Sequence, residues 1–290
     1  MQEALRNWEF VDKEMNLRKE LMKISWKQVE NNCNCRDLRL DFSAINNMTH
    51  PPAIVFTDFD GTVTLQDSND YLTENIGFGR PARLAVNDLI LNGEKSFRQG
   101  FQEMLDSVTT PLQECIELLL NNIDLDPGFV DFYKWCESQQ IPIVVVSSGM
   151  KPIIEALLAK LVGKQALENI EILSNDLKIN DDNTWDIIFK DDSSFGHDKS
   201  QSIRQYLADN NYNSSNVPLM FYSGDGVSDI SAAKETNLLL AKHGKDLIIY
   251  CKRDGIPYTE FNNFNDIHYK IKAIVADNGK NIDDFIENDK

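Results

Sequence analysis

Two carboxylates one residue apart, at the end of an apolar run, are the first place where this 290-residue chain could do chemistry. The run Ala53-Ile54-Val55-Phe56-Thr57 leads straight into Asp58-Phe59-Asp60-Gly61-Thr62. On a strand, residues i and i+2 share one side of the pleat, so the two charges repel unless a cation or a proton relieves them. That crowding costs stability and suits nucleophilic or acid–base work, although a turn also uses a lone Asp for capping. A second cluster has the same build. Leu219-Met220-Phe221-Tyr222-Ser223 runs into Gly224-Asp225-Gly226-Val227-Ser228-Asp229. Asp225 falls in the turn and Asp229 one helical turn later, so both can face one point. The plainer alternative for Asp229 is a first-turn acid that favours the helix dipole. Between the clusters, Ile143-Val144-Val145-Val146-Ser147-Ser148-Gly149 precedes Pro152. A strand, a small-residue turn and a helix start make an anion cradle of backbone N–H groups and the Ser147 hydroxyl.

Elements must bring these three turns together. The alternation of strand and helix calls for an α/β fold with a doubly wound parallel sheet, its site at the carboxyl ends of the strands. Residues 64–126 read as helical: Phe97, Phe101, Met104, Leu105 and Val108 recur at helical spacing, as do Leu112, Cys115, Ile116, Leu119 and Leu120. Asp126-Pro127-Gly128 turns the chain back, residues 129–136 form a helix, and residues 170–190 form a hairpin around Asn180-Asp181-Asp182-Asn183.

Asp58-x-Asp60-Gly61-Thr62, the strand-terminal Ser147, Lys199 in His197-Asp198-Lys199-Ser200, and Gly224-Asp225-Gly226-x-x-Asp229 follow one another in the order of the four motifs of the haloacid dehalogenase superfamily. Within it the chain resembles the phosphoserine-phosphatase-like branch. The runs at 57–72 and 146–152 are most similar to fungal phosphatases of polyol phosphates. The resemblance spans roughly residues 51–275 and rests on all four motifs together. It implies a Rossmannoid core with an inserted helical cap. It also implies the following roles. Asp58 is the nucleophile that forms an aspartyl-phosphate. Asp60 is the acid for the leaving alkoxide and then the base for water, with its pKa raised by anionic neighbours. Ser147, Ser148, Gly149 and Lys199 hold phosphoryl oxygens. The Asp58 carboxylate, the Asp60 carbonyl and Asp225 bind Mg2+. Asp229 orients a metal-bound water or Lys199 from behind.

The charge count explains the metal. Asp58, Asp225, Asp229 and a phosphate dianion bring about five negative charges, and one like-charge pair at ~4 Å costs on the order of 4 kcal/mol at an effective dielectric near 20. Lys199 alone cannot offset that. The cap is expected to choose the leaving group. In phosphoserine phosphatases an acid after the first motif binds the substrate amine and a cap arginine binds its carboxylate. The acid's place falls here on Asp67, whereas Met104 stands at the arginine's position and Arg98 belongs to a different helix face. Phosphoserine is therefore disfavoured, and a neutral, hydroxyl-bearing leaving group suits Asp67, Asn69 and Asp70. The alternative for these three is a set of turn and capping residues.

A net charge of −17 argues against nucleic acid or an anionic membrane as partner. It is unevenly placed: residues 1–50 hold 8 basic and 8 acidic side chains, leaving 21 basic and 38 acidic for the rest. No run of 18 apolar residues and no leader pattern is present, and five cysteines read as free thiols. These features point to the cytoplasm, with access to the nucleus left open. The expected organisation is an N-terminal extension at 1–50, a core at 51–66 and 127–275, a cap at 67–126 and an acidic tail at 276–290. In the extension, Trp8, Val11, Met15, Met22, Trp26 and Val29 mark one face of an amphipathic helix followed by a linker. That face suits docking on the core or self-association. Cys33-x-Cys35 with His50 lacks a fourth zinc ligand at ordinary spacing. The expected activity is Mg2+-dependent hydrolysis of a small polyol or sugar phosphate. Phosphoserine, phosphocholine, pyridoxal phosphate and methylthiopentenyl phosphate are alternative substrates, and a non-catalytic scaffold is the alternative class. Dehalogenation is disfavoured because it does not require the acid Asp60.

Overall fold

Side chains of the strand β1 (Ala53–Thr57), buried throughout, alternate between two cores. Ala53 and Val55 face one; Ile54 and Phe56 face the other. The same alternation splits Ile143 and Val145 from Val144 and Val146 on β2 (Ile143–Met150), and Phe221 from Tyr222 on β5 (Leu219–Gly224). A sheet buried on both faces needs near-continuous apolar strands, and these sequences are of that kind. Each such side chain taken fully from water contributes roughly 1.5–3 kcal/mol.

These features come from a computed structural model that describes residues 50–287. They lie in the second of two units, 1–49 and 50–290. The expected N-terminal amphipathic helix and the Cys33-x-Cys35 pair lie outside the described residues. Four further strands are β3 (Ile170–Ile179), β4 (Trp185–Ile188), β6 (Leu238–Lys242) and β7 (Thr259–Phe261). The sheet order is β4-β3-β2-β1-β5-β6-β7, parallel except for the β3–β4 pair. That pair is the expected hairpin, whose turn places Asn183 at φ 67, a conformation asparagine tolerates.

Five helices follow β1 before the chain re-enters the sheet, the first four being α1 (Ser68–Ile76), α2 (Arg80–Leu91), α3 (Phe97–Asp106) and α4 (Leu112–Asn122). Helical structure begins later than the sequence pattern suggests. Thr64 instead pairs with Leu125 in an isolated antiparallel bridge, and its backbone N–H donates to the Phe59 carbonyl. Asp67 then caps α1, accepting from Asn69 N and Asp70 N. Ser96 and Gln99 form a capping box on α3. The remaining helices are α5 (Phe129–Ser138), α6 (Lys151–Leu161), α7 (Lys164–Asn169), α8 (Lys199–Asp209), α9 (Ile230–Ala233), α10 (Asp246–Asp254) and α11 (Phe264–Ala276). α6 starts at Lys151 with Pro152 in its first turn.

The acidic segment at 276–290 is, over its described part, laid on the protein rather than extended as a tail. Ile282, Phe285 and Ile286 pack against the larger core, and Glu287 N donates to the Tyr258 carbonyl. Its apolar residues outweigh its charge in deciding that placement. Cys115, Cys136 and Cys251 are free and buried, and burial pushes all three thiols up. Among the described residues no helix is long and apolar enough to cross a membrane.

Candidate active site

Three neighbouring strands, β2, β1 and β5, end side by side and carry the chemistry-bearing turns with them. The Asp58 backbone N–H continues the β1–β5 ladder by donating to Ser223 O at 2.8 Å. The turn beyond it needs glycine: Gly61 has φ +72, and a Cβ there would lie 2.3 Å from Asp225 Oδ2. Gly224 is equally constrained, since a Cβ would meet the Asp229 carboxyl at 2.4 Å. The first acid turn therefore packs its backbone directly against the Asp225 side chain, and the second folds over its own Asp229 carboxyl.

Asp58 Oδ1 accepts from Phe59 N at 2.8 Å and lies 3.0 Å from Lys199 Nζ. Lys199, the first residue of α8, is fully buried, and its ammonium also meets Asp229 Oδ1 at 2.6 Å. Asp229 has no free lone pair to offer. Oδ1 also accepts from the Tyr222 hydroxyl at 2.5 Å, and Oδ2 accepts from Asp225 N and Gly226 N at 2.9 Å each. Of the two uses expected for Asp229, the geometry supports orienting Lys199. Burial alone would lower the Lys199 pKa, but the Asp229 and Asp58 carboxylates outweigh it and hold it above the ordinary value. Burial, with help from Asp229 and Asp225, pushes Asp58 well up despite Lys199. Asp225 is raised to about 6 by burial and by Asp229.

Asp60 faces the inserted helices. Its Oδ1 accepts from Ser68 N at 2.7 Å and its Oδ2 from Asn69 Nδ2 at 3.0 Å. Its pKa is raised to about 7, by burial first and by Asp67 second. Anionic neighbours are thus the smaller cause, contrary to the sequence-based expectation. A carboxyl poised there can serve as acid and as base in turn. On β2, Ser147 Oγ accepts from Gly149 N at 3.0 Å, so one N–H of the expected cradle is already engaged. His197 Nδ1 donates to Ser147 O and its Nε2 accepts from Ser202 Oγ, both at 2.7 Å. Burial, and then Lys199, lower its pKa to about 4, keeping it neutral. Asn175 Nδ2 donates to Ser148 O at 2.7 Å.

Asp58, Asp60, Asp67, Asp70, Ser147, Ser148, Gly149 and Asp225 all line one cavity of about 400 Å³; Lys199 and Asp229 lie buried beneath it. Met104 is in its wall, whereas Arg98 donates to Asp191 O at 2.6 Å and stacks on Phe189, outside the lining. Sequence reasoning missed Arg83, His197, Tyr222 and Asn175. His197 was marked only by standing two residues before Lys199, and Tyr222 only by its inward register on β5.

Carboxylate oxygens of Asp58, Asp225 and Asp229 come within 4.8 Å of one another. Two buried acids and a half-buried one, with raised or fully committed carboxylates, against Lys199 and the exposed Lys245, leave a surplus of negative charge that fits a divalent cation. With both Asp229 oxygens spent, Asp58 and Asp225 are the side chains left to hold it.

A family model described as haloacid dehalogenase-like hydrolase matches residues 55–234. The chain belongs to the haloacid dehalogenase-like hydrolase family. It is 51% identical over 241 residues to the polyol phosphate phosphatase PYP1 of Saccharomyces cerevisiae, covering 81% of this chain and 99% of that one. It is 50% identical to the Pdp3-interacting factor 1 of Schizosaccharomyces pombe, covering 76% of this chain and 95% of that one. Among solved structures, a phosphoserine phosphohydrolase-like protein from Francisella tularensis superposes with a TM-score of 0.56 at 20% identity, over 76% of this chain and 99% of its own. This haloacid dehalogenase-like hydrolase therefore has three of its sequence motifs at strand ends and the fourth, Lys199, at the start of α8.

The acid role expected of Asp60 can be tested directly. Asp60→Asn is expected to lower kcat on an alkyl phosphate by ~10²–10⁴-fold. p-Nitrophenyl phosphate should suffer less, because nitrophenolate departs without a proton. With the Asp60 pKa near 7, the protonated acid declines above that pH, so alkyl ester cleavage should fall on the alkaline side. Equal losses on the two esters would remove Asp60 from the acid role.

Proposed function

We propose that this hydrolase is a Mg2+-dependent phosphomonoesterase for a small polyol phosphate, working through an aspartyl-phosphate. An Asp58 oxygen attacks phosphorus as the ester bond breaks, and the Asp60 proton passes to the departing alkoxide. Asp60, now a carboxylate, takes a proton from the water that attacks phosphorus in turn. Phosphate leaves and Asp58 is restored. Lys199 and the Ser147–Gly149 turn hold phosphoryl oxygens throughout. Mg2+ held by Asp58, Asp225 and the Asp60 carbonyl would supply positive charge against the phosphoryl oxygens.

The substrate class rests on one observation. The cavity wall beyond Asp60 offers hydrogen-bond acceptors, and its two cations are already paired. Arg83 meets Asp70 at 2.8 Å and Glu74 at 2.7 Å; Lys245 meets Asp225 at 3.4 Å. A substrate carboxylate would find no free bidentate partner there, while hydroxyls find acceptors. The similarity to the yeast polyol phosphate phosphatase supports the same class. Residues 67–126 are read as the cap that closes over the site, with 51–66 and 127–275 as the core. A panel of phosphate esters scored by kcat/KM tests the proposal. Glycerol or ribitol phosphate should exceed phosphoserine by ~10-fold or more, the cost of an unmatched carboxylate. Preference for phosphoserine would overturn the reading.

A further inference from the structure

Near its carboxyl end, β2 slips out of step with β3. The pairing runs through Ser147↔Ser174 and resumes only at Met150↔Asn175, so Ser148 and Gly149 stand outside the register. A peptide outside a regular ladder can turn over, exchanging its N–H for its carbonyl. Beside a phosphoryl group, that exchange would set a carbonyl oxygen against anionic oxygens. Two fully buried side chains hold these peptides in place of the ladder. His197 Nδ1 bonds to Ser147 O, and Asn175 Nδ2 donates to Ser148 O, both at 2.7 Å. A carbonyl only accepts, so His197 carries its proton on Nδ1, and its Nε2 accepts from Ser202 Oγ. Asn175 Oδ1 accepts from Lys190 N at 2.8 Å, which fixes that amide too.

We infer that His197 and Asn175 are positioning residues for phosphate: they hold the Ser147 and Ser148 carbonyls away from the anion, so that the Ser148 N–H and the Ser147 hydroxyl face it. Among the described residues no peptide bond is cis, and in a trans peptide the carbonyl and the N–H point opposite ways. With Ser147 O on His197, the Ser148 N–H is sent to the side of β1. The carbonyls of Pro142 and Val146 mark that side, accepting from Val55 N and the Tyr222 hydroxyl, and alternate residues of a parallel strand share a direction. Asp58 extends β1 there. With Ser148 O on Asn175, the Gly149 N–H is sent to Ser147 Oγ at 3.0 Å. That oxygen accepts one hydrogen and keeps its own to donate. Neither His197 nor Asn175 lines the cavity, so both act through the backbone. His197 also ties the cradle to α8, the helix that carries Ser202 and begins with Lys199. The N–H donor and the ammonium thereby keep a fixed spacing.

Taking phosphate as the anion rests on the phosphatase reading above. With the full chain and saturating Mg2+, inorganic phosphate is the probe. Its affinity is read from the rise in thermal midpoint and from competition with p-nitrophenyl phosphate. His197→Ala and Asn175→Ala should each weaken phosphate by ~10-fold or more. His197→Asn, whose amide sets a donor where the Nδ1 proton stood, should regain most of that loss. Stabilisation by Mg2+ alone should survive in all three. Phosphate affinity unchanged in the alanine variants, or lost only together with the Mg2+ stabilisation, overturns the inference. So does His197→Asn binding phosphate no better than His197→Ala. If the alanine variants do not fold, nuclear magnetic resonance of the unmodified protein decides. His197 should carry its proton on Nδ1, and the Ser148 amide proton should move downfield as phosphate binds. A proton on Nε2, or a Ser148 amide that phosphate leaves unmoved, overturns the inference. Phosphate bound in this way without hydrolysis of any ester would instead overturn the phosphatase reading.

Discussion

Asp58→Asn should abolish phosphoester hydrolysis, by ~10⁴-fold or more, while the fold persists. The amide is isosteric and can still accept the Phe59 N–H that Asp58 Oδ1 accepts at 2.8 Å, but it is not a nucleophile toward phosphorus. Stability should be spared for an electrostatic reason. Burial raises the Asp58 pKa in the folded protein. Above the ordinary carboxylate range the ionised side chain is therefore a burden on folding, which a neutral isostere removes. Lys199 keeps its partner Asp229, at 2.6 Å. The thermal midpoint measured in chelator should lie within about 3 °C of the unmodified protein or above it. A rate on p-nitrophenyl phosphate within tenfold of the original would move the nucleophile elsewhere.

Removing divalent metal should have a comparable effect on turnover. The site must hold Asp58, Asp225 and Asp229 ionised beside a phosphate dianion, against the buried Lys199 ammonium and the exposed Lys245, 3.4 Å from Asp225. Burial has already raised Asp58 against Lys199, and Asp225 against Lys245. Excess chelator should abolish activity, and added Mg2+ should restore it. Binding a cation to these carboxylates expels protons, so apparent affinity should weaken as pH falls through about 6, where Asp225 protonates. Acid-side activity should then recover partly at higher Mg2+. Saturating Mg2+ at 100 times its Kd should stabilise the folded state by about 2.7 kcal/mol, read as a raised thermal midpoint. Asp225→Asn should lose most of that rise. Undiminished activity in excess chelator would end the metal assignment.

Much of this site is legible in one dimension because its parts are local. A strand that must be apolar, a turn that must be glycine, and two acids beside it are encoded within a dozen residues at Asp58-x-Asp60-Gly61 and again at Gly224-Asp225-Gly226-x-x-Asp229. The helical periodicity of Phe97, Phe101 and Met104, and the hairpin around Asn183, are legible for the same reason: backbone sterics and side-chain period act over short range. The first helix starts at Ser68 rather than Thr64 because Thr64 is claimed by a distant partner, Leu125.

What tertiary structure alone decides is which long-range partners meet. Asp229 could have been a metal ligand, a water holder or a helix acid. Four hydrogen bonds, from Lys199, Tyr222, Asp225 N and Gly226 N, leave it only the task of holding the lysine and the turn. The Asp60 pKa comes chiefly from burial beneath the inserted helices, and burial has no sequence period of its own. Arg98 and Arg83 look alike on paper, yet one is drawn off to Phe189 and Asp191 while the other enters the cavity wall and is neutralised by Asp70 and Glu74. Catalytic identity thus follows from short-range stereochemistry written along the chain. Substrate choice depends on which polar atoms remain unpaired after distant segments have packed, and only the folded molecule decides that.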